Sequence, residues 1–501
     1  MELEFKQNSL NYLKQSLYLV KDQEETSETI VPDSYPDIKF IMDSYANAYI
    51  RGKDLRTGGA SISGGIKGGL VYIPEDGDSP RILDFYLPFT IRLDHDLLSA
   101  QSKMICKALI RSVDARMINS RKAMLRVDLS CLVECFEKAE DIFYEPTDCS
   151  EILQLQQKTY HIQLPSEIAE KSVAISDLLE LPSNAASFKQ LYKTNCKIEL
   201  TEKKLIANKG VFRGYANIKM LYLSVDDKFY AYEHQIPFSQ YCEFVSDYDS
   251  ENFAITPLIT GHDIELENIE NTYNLKISVD MLLQGVVCKN MVLTAVEDAY
   301  SLEGELLAQW QHCEIGVPLD TQSQYQRVHC TACEQLKDII DVTVYHGYPT
   351  VTKRDDHVTL ANRLYFHLMG FDTQGELLGM TCYADAETQL TLSAAGRCNS
   401  EIVCNSHTVS LGANGLDVQA DITWNNQFYV QQKFTTLRDA VIEISECDTQ
   451  KPAIILKRAE KGAAVWSIAK KYRAKPEEIS SVNHLCEDHL TETQMLLIPV
   501  G

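Results

Sequence analysis

The sequence has no run of 18 uninterrupted apolar residues, and its first fifteen residues carry acids at positions 2 and 4 without an apolar core of signal-peptide length. Neither a membrane-spanning helix nor an export signal is expected, and the chain is expected to stay in the cytosol that made it. Basic side chains are also scarce: 47 Lys and Arg stand against 71 Asp and Glu, a net charge of −24. So acidic a chain repels phosphate backbones and anionic lipid, which argues against nucleic acid and membrane surfaces as general partners. Its fifteen cysteines are an odd number without framework spacing. A reducing compartment keeps such residues as small buried hydrophobes, so disulfides are not expected. No GxSxG, GxGxxG or other nucleophile or phosphate-loop motif occurs. No catalytic residue, metal ligand or cofactor is assigned.

What is present is length and repetition. At 501 residues and 45% hydrophobic, the chain is too long for one core and too apolar to be disordered. Val31-Pro32 followed by Ile38 and Ile41 recurs 150 residues later as Leu181-Pro182 with Phe188 and Leu191. Gly64 and Tyr72 answer to Gly214 and Tyr222, and Leu87-Pro88-Phe89 to Ile236-Pro237-Phe238. The alternating run Leu125, Val127, Leu129, Cys131, Val133 returns as Leu275, Ile277, Val279, Met281, and again as Leu416, Val418, Ala420, Ile422, Trp424. In the third copy Leu336 and Ile339 match Phe188 and Leu191, whereas Asn362 and Gly370 replace the Gly and Tyr, and the Leu-Pro-Phe element is missing. Long-period self-similarity of this kind signals repeated structural units.

Period-two alternation rich in Val, Ile, Leu and Tyr predicts half-buried strands, with hairpin turns at Asn119 to Lys122 and Gly412 to Gly415. The helical spacing of Ile38 and Ile41 and their counterparts predicts one short helix per unit, around 36–46, 184–193 and 332–340. The expected fold is mainly β: three tandem sandwich- or barrel-like repeats (1–150, 151–300, 301–448), each with a short helix, plus a small βααβ domain at 452–501. Each unit is large enough to bury its own core, which predicts three beads in series.

The C-terminal segment differs in charge as well as in pattern. Residues 451–501 carry 8 basic and 6 acidic side chains, so the tail is +2 while the body, at 39 against 65, is −26. Ile454 to Leu456 begin a strand; Val465, Ile468, Ala469 and Tyr472 form one helical stripe with Lys470, Lys471 and Arg473 in the last turn; Pro476, Glu477 and Glu478 open a second helix. Lys461-Gly462, Val465 to Tyr472, Glu478-Ile479, Asn483-His484-Leu485 and Leu497 to Val500 together resemble the LysM domain over about 45 residues. The preceding body resembles tandem SPOCS-type repeats, a combination similar to the SipL-like spore coat morphogenesis family of endospore formers. That resemblance implies a non-enzymatic scaffold or adaptor of endospore coat assembly. It would act in the mother-cell cytoplasm, be recruited to the forespore surface, and dock the basement-layer morphogenetic ATPase or another coat protein through its LysM domain. The alternative implied by LysM is a peptidoglycan-binding protein that anchors to N-acetylglucosamine glycan of the wall or spore cortex.

One departure bears on that choice. LysM domains usually have Gly-Asp-Thr or Gly-Asp-Ser before the first helix, where this chain has Gly462-Ala463-Ala464. Losing the side-chain cap forfeits about 1 kcal/mol and removes polar groups that would face a sugar, which favours protein binding. The partner- or glycan-binding face is assigned to Gly462, Ala463, Ala464, Trp466, Lys470, Arg473, Asn483 and Leu485. Trp466 lies one position off the apolar stripe, so either it packs on Pro499 or its own domain, or it shares a basic aromatic patch with Lys470, Lys471 and Arg473 that suits an acidic protein.

Other constellations have plainer readings. The stretch Gly58 to Gly69 is read as structural glycine. His329-Cys330-Thr331-Ala332-Cys333 holds a lone CxxC, with Cys398, Cys404 and His407 near only in sequence, and is read as core thiols rather than zinc ligands. Asp94-His95-Asp96 and His484 to His489 are read as polar turns.

Overall fold

The computed structural model describes residues 5–77, 79–146, 152–180, 188–248, 252–269, 272–332, 336–391, 396–412, 415–444 and 453–500. It is mainly β. The first stretch contains β1 (Phe5–Ile30), β2 (Ile38–Arg56), β3 (Gly59–Pro74), β4 (Arg81–Asp94), β5 (Lys103–Asn119) and β6 (Lys122–Pro146). They form two antiparallel sheets, β1-β6-β5 and β2-β3-β4. The same succession follows in β7 (Leu153–Glu180), β8 (Phe188–Ile206), β9 (Lys209–Ser224), β10 (Phe229–Glu243), β11 (Phe253–Ile269) and β12 (Thr272–Ser301), with sheets β7-β12-β11 and β8-β9-β10. It occurs once more in β13 (Gly304–Ala332), β14 (Leu336–His346), β15 (Thr350–Arg354), β16 (His357–Asp372), β17 (Leu377–Thr391), β18 (Gly396–Gly412) and β19 (Gly415–Ile444). There β14 and β15 together pair along β16 as β2 pairs along β3.

Alternation places the cores. Leu125, Val127, Leu129, Cys131 and Val133 on β6 face the β3–β4 residues Ile62, Ile66, Phe85 and Phe89, all buried. Leu275 to Met281 on β12 and Leu416 to Trp424 on β19 do the same in their own clusters. The thiols of Cys106, Cys131 and Cys135 are part of the first core, where they pack as small apolar groups. Pro88 and Pro237 lie on the outer strands β4 and β10, where a missing N–H does not break a central ladder.

Among the described residues the three expected short helices do not form. Residues from Ile38, Phe188 and Leu336 onward are strand, while 184–187 and 333–335, like the anchor Leu181-Pro182, lie outside the described residues. The i, i+3 spacing has another cause. Register shifts fall at Ile38/Phe40 and Ile41/Asp43, at Phe188/Gln190 and Leu191/Lys193, and at Leu336/Asp338 and Ile339/Asp341. Each bulge inserts one residue, so two of them in succession turn a period of two into a period of three. Ile38 and Ile41 thereby face their own core, and Met42 faces away.

What Met42 faces is a shared centre, so the units are not separate beads. Met42 and Val71, Tyr192 with Leu221 and Leu223, and Met369 form one buried cluster drawn from all three stretches. Beside it lies a buried ionic network. Lys193 Nζ is 2.9 Å from Asp43 Oδ2 and 3.0 Å from Asp341 Oδ2, Lys219 Nζ is 2.8 Å from Asp341 Oδ1, and His367 Nδ1 is 3.1 Å from Asp43 Oδ1. Beyond the sheets the paired strands β1/β6, β7/β12 and β13/β19 continue as arms. They meet in a second shared cluster, where Phe434 stacks on Phe143 and Tyr160 at ring separations of 5.9 and 5.0 Å.

The C-terminal module is β20 (Ile454–Ala459), α1 (Val465–Tyr472), α2 (Pro476–Val482) and β21 (Gln494–Pro499), with β20 antiparallel to β21. Val465, Ala469, Ile479, Leu490, Leu496 and Ile498 fill its core. Pro476 opens α2 at a position where its missing N–H has no helical partner anyway.

Candidate functional site

The eight residues assigned to a binding face separate into three places on the module. Gly462 turns the chain with φ +83° and donates its N–H to the Leu490 carbonyl at 2.8 Å. Ala463 exchanges backbone hydrogen bonds with Glu460 and Leu490, and Ala464 is the N-cap of α1 without a side-chain bond. The missing cap is compensated in part by backbone: the Val465 N–H reaches the Asp488 carbonyl at 2.9 Å. The loop therefore closes on the 488–490 segment and presents only methyl side chains.

Asn483 and Leu485 lie at the far end of α2. Asn483 donates to the Ile479 and Leu497 carbonyls at 2.8 and 2.7 Å and accepts from the Leu497 N–H at 2.8 Å. Its amide thus straps the helix to the outer edge of β21. Leu485 packs half-buried on the module core.

Trp466, Lys470 and Arg473 share the remaining flank, and that flank is occupied by the chain itself. Trp466 Nε1 donates to Asp298 Oδ2 at 2.8 Å, and its ring meets Tyr300 edge-on at 5.0 Å. Lys470 Nζ pairs with Asp298 Oδ1. Tyr300, only 5% exposed, belongs to the module's core cluster and donates its hydroxyl to the Ala474 carbonyl at 2.6 Å. Leu302 packs beside it, and Arg473 lines the adjoining groove with Ser301, Glu305, Leu306 and Trp310. Burial opposes ionisation of Asp298, but the Lys470 ammonium and the Trp466 indole N–H outweigh it and hold the carboxyl below its usual range. Of the two readings of Trp466, packing on its own domain holds in part, since the ring lies half-buried against the module core, and the basic aromatic patch is not free. Its acidic partner comes from the end of β12.

Asp298, Tyr300 and Leu302 are not among the sequence candidates, because they lie outside the C-terminal module. Their signal is an acid, an aromatic and an aliphatic residue at i, i+2 and i+4, the first two on one face of the end of β12 and the third in its turn.

The other constellations fall where packing or turns explain them. Adding a Cβ at Gly64 would bring it 2.2 Å from the Tyr49 carbonyl oxygen, and at Gly68 2.0 Å from that of Tyr45, so these glycines admit a close neighbouring strand. Cys330 Sγ lies 3.4 Å from Cys382 Sγ on the margin of the third core, with Cys398 and Cys404 in the same cluster, and Cys333 lies outside the described residues. Among the described residues no group of three or more His, Cys, Asp or Glu is placed to hold a metal ion, and no helix is long and apolar enough to cross a membrane. His95 closes a turn by donating its N–H to the Gly58 carbonyl at 3.1 Å.

Fold and site define a mainly β protein in which one six-stranded succession recurs and a small mixed module rests on its arms. Residues 188–279 match the family model described as SipL, SPOCS domain. Over that stretch the chain is similar to the SipL SPOCS domain, a likeness that points to a sporulation-related role. The matched stretch runs from the start of β8 into β12 and stops short of the arm that carries Asp298. No curated protein and no solved structure matches the chain.

Proposed function

We propose that the chain is a non-enzymatic scaffold of endospore coat assembly, with three SPOCS-type units as its body and a LysM domain as its C-terminal module. The SPOCS match of residues 188–279 is the observation that carries this reading, and the recurrence of the same strand order before and after it extends the reading to the whole body. In this proposal the protein acts in the mother-cell cytoplasm and is recruited to the forespore surface. Its module docks a coat protein, the basement-layer morphogenetic ATPase being the partner that the family resemblance suggests. A loop of Gly462, Ala463 and Ala464 offers a sugar no side-chain hydroxyl or carboxylate, which supports protein over peptidoglycan as the module's ligand.

The test is quantitative affinity capture of the coat ATPase by purified protein, comparing the full chain, a chain ending at residue 450, and Lys470→Glu with Arg473→Glu. Capture should be lost without the module and weakened about tenfold or more by the charge reversals, on the scale of a hot-spot loss. The full chain should bind peptidoglycan fragments poorly. Tight glycan binding that survives the reversals would replace this reading by the wall-anchor one.

A further inference from the structure

The flank of the module that carries its half-buried tryptophan and two of its cations is already filled from within. Strand alternation sends Asp298 and Tyr300 to one side of the end of β12, and Leu302 in the turn that follows packs on the same side. All three land on the module: the carboxylate between Trp466 Nε1 and Lys470 Nζ, the phenol in the core against Trp466 with its hydroxyl on the Ala474 carbonyl, the leucine on the same cluster. A charged anchor, an aromatic anchor seated in a pocket and an apolar neighbour are the parts of a peptide-recognition site.

We infer that the β12 arm tip is an internal ligand of the C-terminal module, and that the flank it covers is a recognition site for an extended segment with an acid at i, an aromatic at i+2 and an aliphatic residue at i+4. An outside segment of that chemistry has to displace the arm, so the arm holds the site closed until a better-matched partner competes for it. Only the outside partner rests on the docking role proposed above; the closure within the chain does not.

Two measurements on the full chain test the inference. Hydrogen exchange of α1 should rise in Asp298→Lys, where the arm meets Lys470 with like charge, and should fall back when Lys470→Asp is added. A synthetic peptide of residues 296–303 should bind Asp298→Ala about tenfold or more tighter than it binds the wild type, because the alanine vacates the carboxylate position without opening the module core. Tyr300→Phe, which keeps the ring and loses only the bond to Ala474, should give an intermediate gain. Equal peptide binding by wild type and Asp298→Ala, absence of binding to both, or α1 exchange indifferent to Asp298→Lys would each overturn the inference. The exchange result is independent of any coat protein, so it separates failure of the closure from failure of the docking role.

Discussion

His262 sits between two hydroxyls. Its Nδ1 is 2.8 Å from Tyr49 Oη of β2 and its Nε2 is 2.8 Å from Thr194 Oγ1 of β8, so one ring ties the first stretch of the body to the second. Burial pushes its pKa down to about 4, the Lys67 ammonium adding to the shift and Asp263 opposing it. The native ring is therefore neutral where the unfolded one would already be charged. Unfolded protein takes up the proton first as pH falls below about 6.5, so stability is lost from there down to the folded value, by about 3 kcal/mol at full extent. His262→Gln keeps a donor and an acceptor but no titration. Urea unfolding at pH 7 and pH 4.5 should show a larger loss for the wild type than for the variant, and equal losses would dismiss the assignment. His346, whose pKa burial also pushes to about 4, contributes to both proteins and cancels in the comparison.

Among the elements, the conserved geometry of Gly64 and Gly214 shows how a repeat is enforced. Each faces the last residue before a bulge, Ile50 or Leu200, and each would push a Cβ within 2.2 or 2.1 Å of a carbonyl oxygen on the neighbouring strand. The third stretch solves the same place differently. Between β14 and β15 the neighbouring chain leaves the ladder, and Asn362 uses the room to donate to the Gly347 carbonyl at 2.7 Å. Gly64→Ala should accordingly lower stability by about 1 to 3 kcal/mol, the range of overpacking, whereas Asn362→Ala should lose about 1 kcal/mol with its hydrogen bond. Thermal midpoints decide it, and a neutral Gly64→Ala would show that β2 yields there.

The same bulges explain what was legible in the sequence. Leu125, Leu275 and Leu416 alternate cleanly because β6, β12 and β19 run without a bulge at those residues, and all three are buried in their cores. Ile38 and Ile41 read as helix because spacing alone cannot distinguish a turn of helix from a doubly bulged strand. The site was half legible: Trp466 and Lys470 stood out by type and position, but Asp298 lies 168 residues before Trp466 and is brought to it only by the length of the arm. Asp43, Lys193 and Asp341 do not stand out in the sequence because the repeat is marked by its apolar anchors. A charge in each copy, just after the second bulge of an otherwise apolar strand, was the available signal.

At the scale of the whole molecule those three charges determine how the units close around one another. They occupy equivalent positions, and three identical copies would bring three like charges together; Asp, Lys and Asp instead neutralise one another, with Lys219 completing the balance and the His367 ring beside Asp43. Burial opposes ionisation of both aspartates, but Lys193 and Lys219 beside Asp341, and Lys193 and His367 beside Asp43, hold both carboxyls below their usual range. Burial also works against the Lys193 charge, and the two carboxylates outweigh it. The aspartates contribute above the unfolded carboxylate range and lose that contribution as pH falls through their folded values, while Lys193 contributes until pH rises through its own raised value. Removing one partner of such a group strands buried charge at a cost of about 3 to 5 kcal/mol. Because the stranded carboxylates belong to two different units, the loss should appear in the coupling between units as well as in total stability. The wild type is expected to unfold in one transition, with Trp424 emission from the third core coinciding with hydrogen exchange from the first and second. Lys193→Met should split it, the cores parting at different denaturant concentrations. Separate midpoints already in the wild type would mean that the shared centre does not bind the units into one body, and a single unsplit transition in Lys193→Met would place the coupling in the apolar cluster around Met42, Tyr192 and Met369 instead.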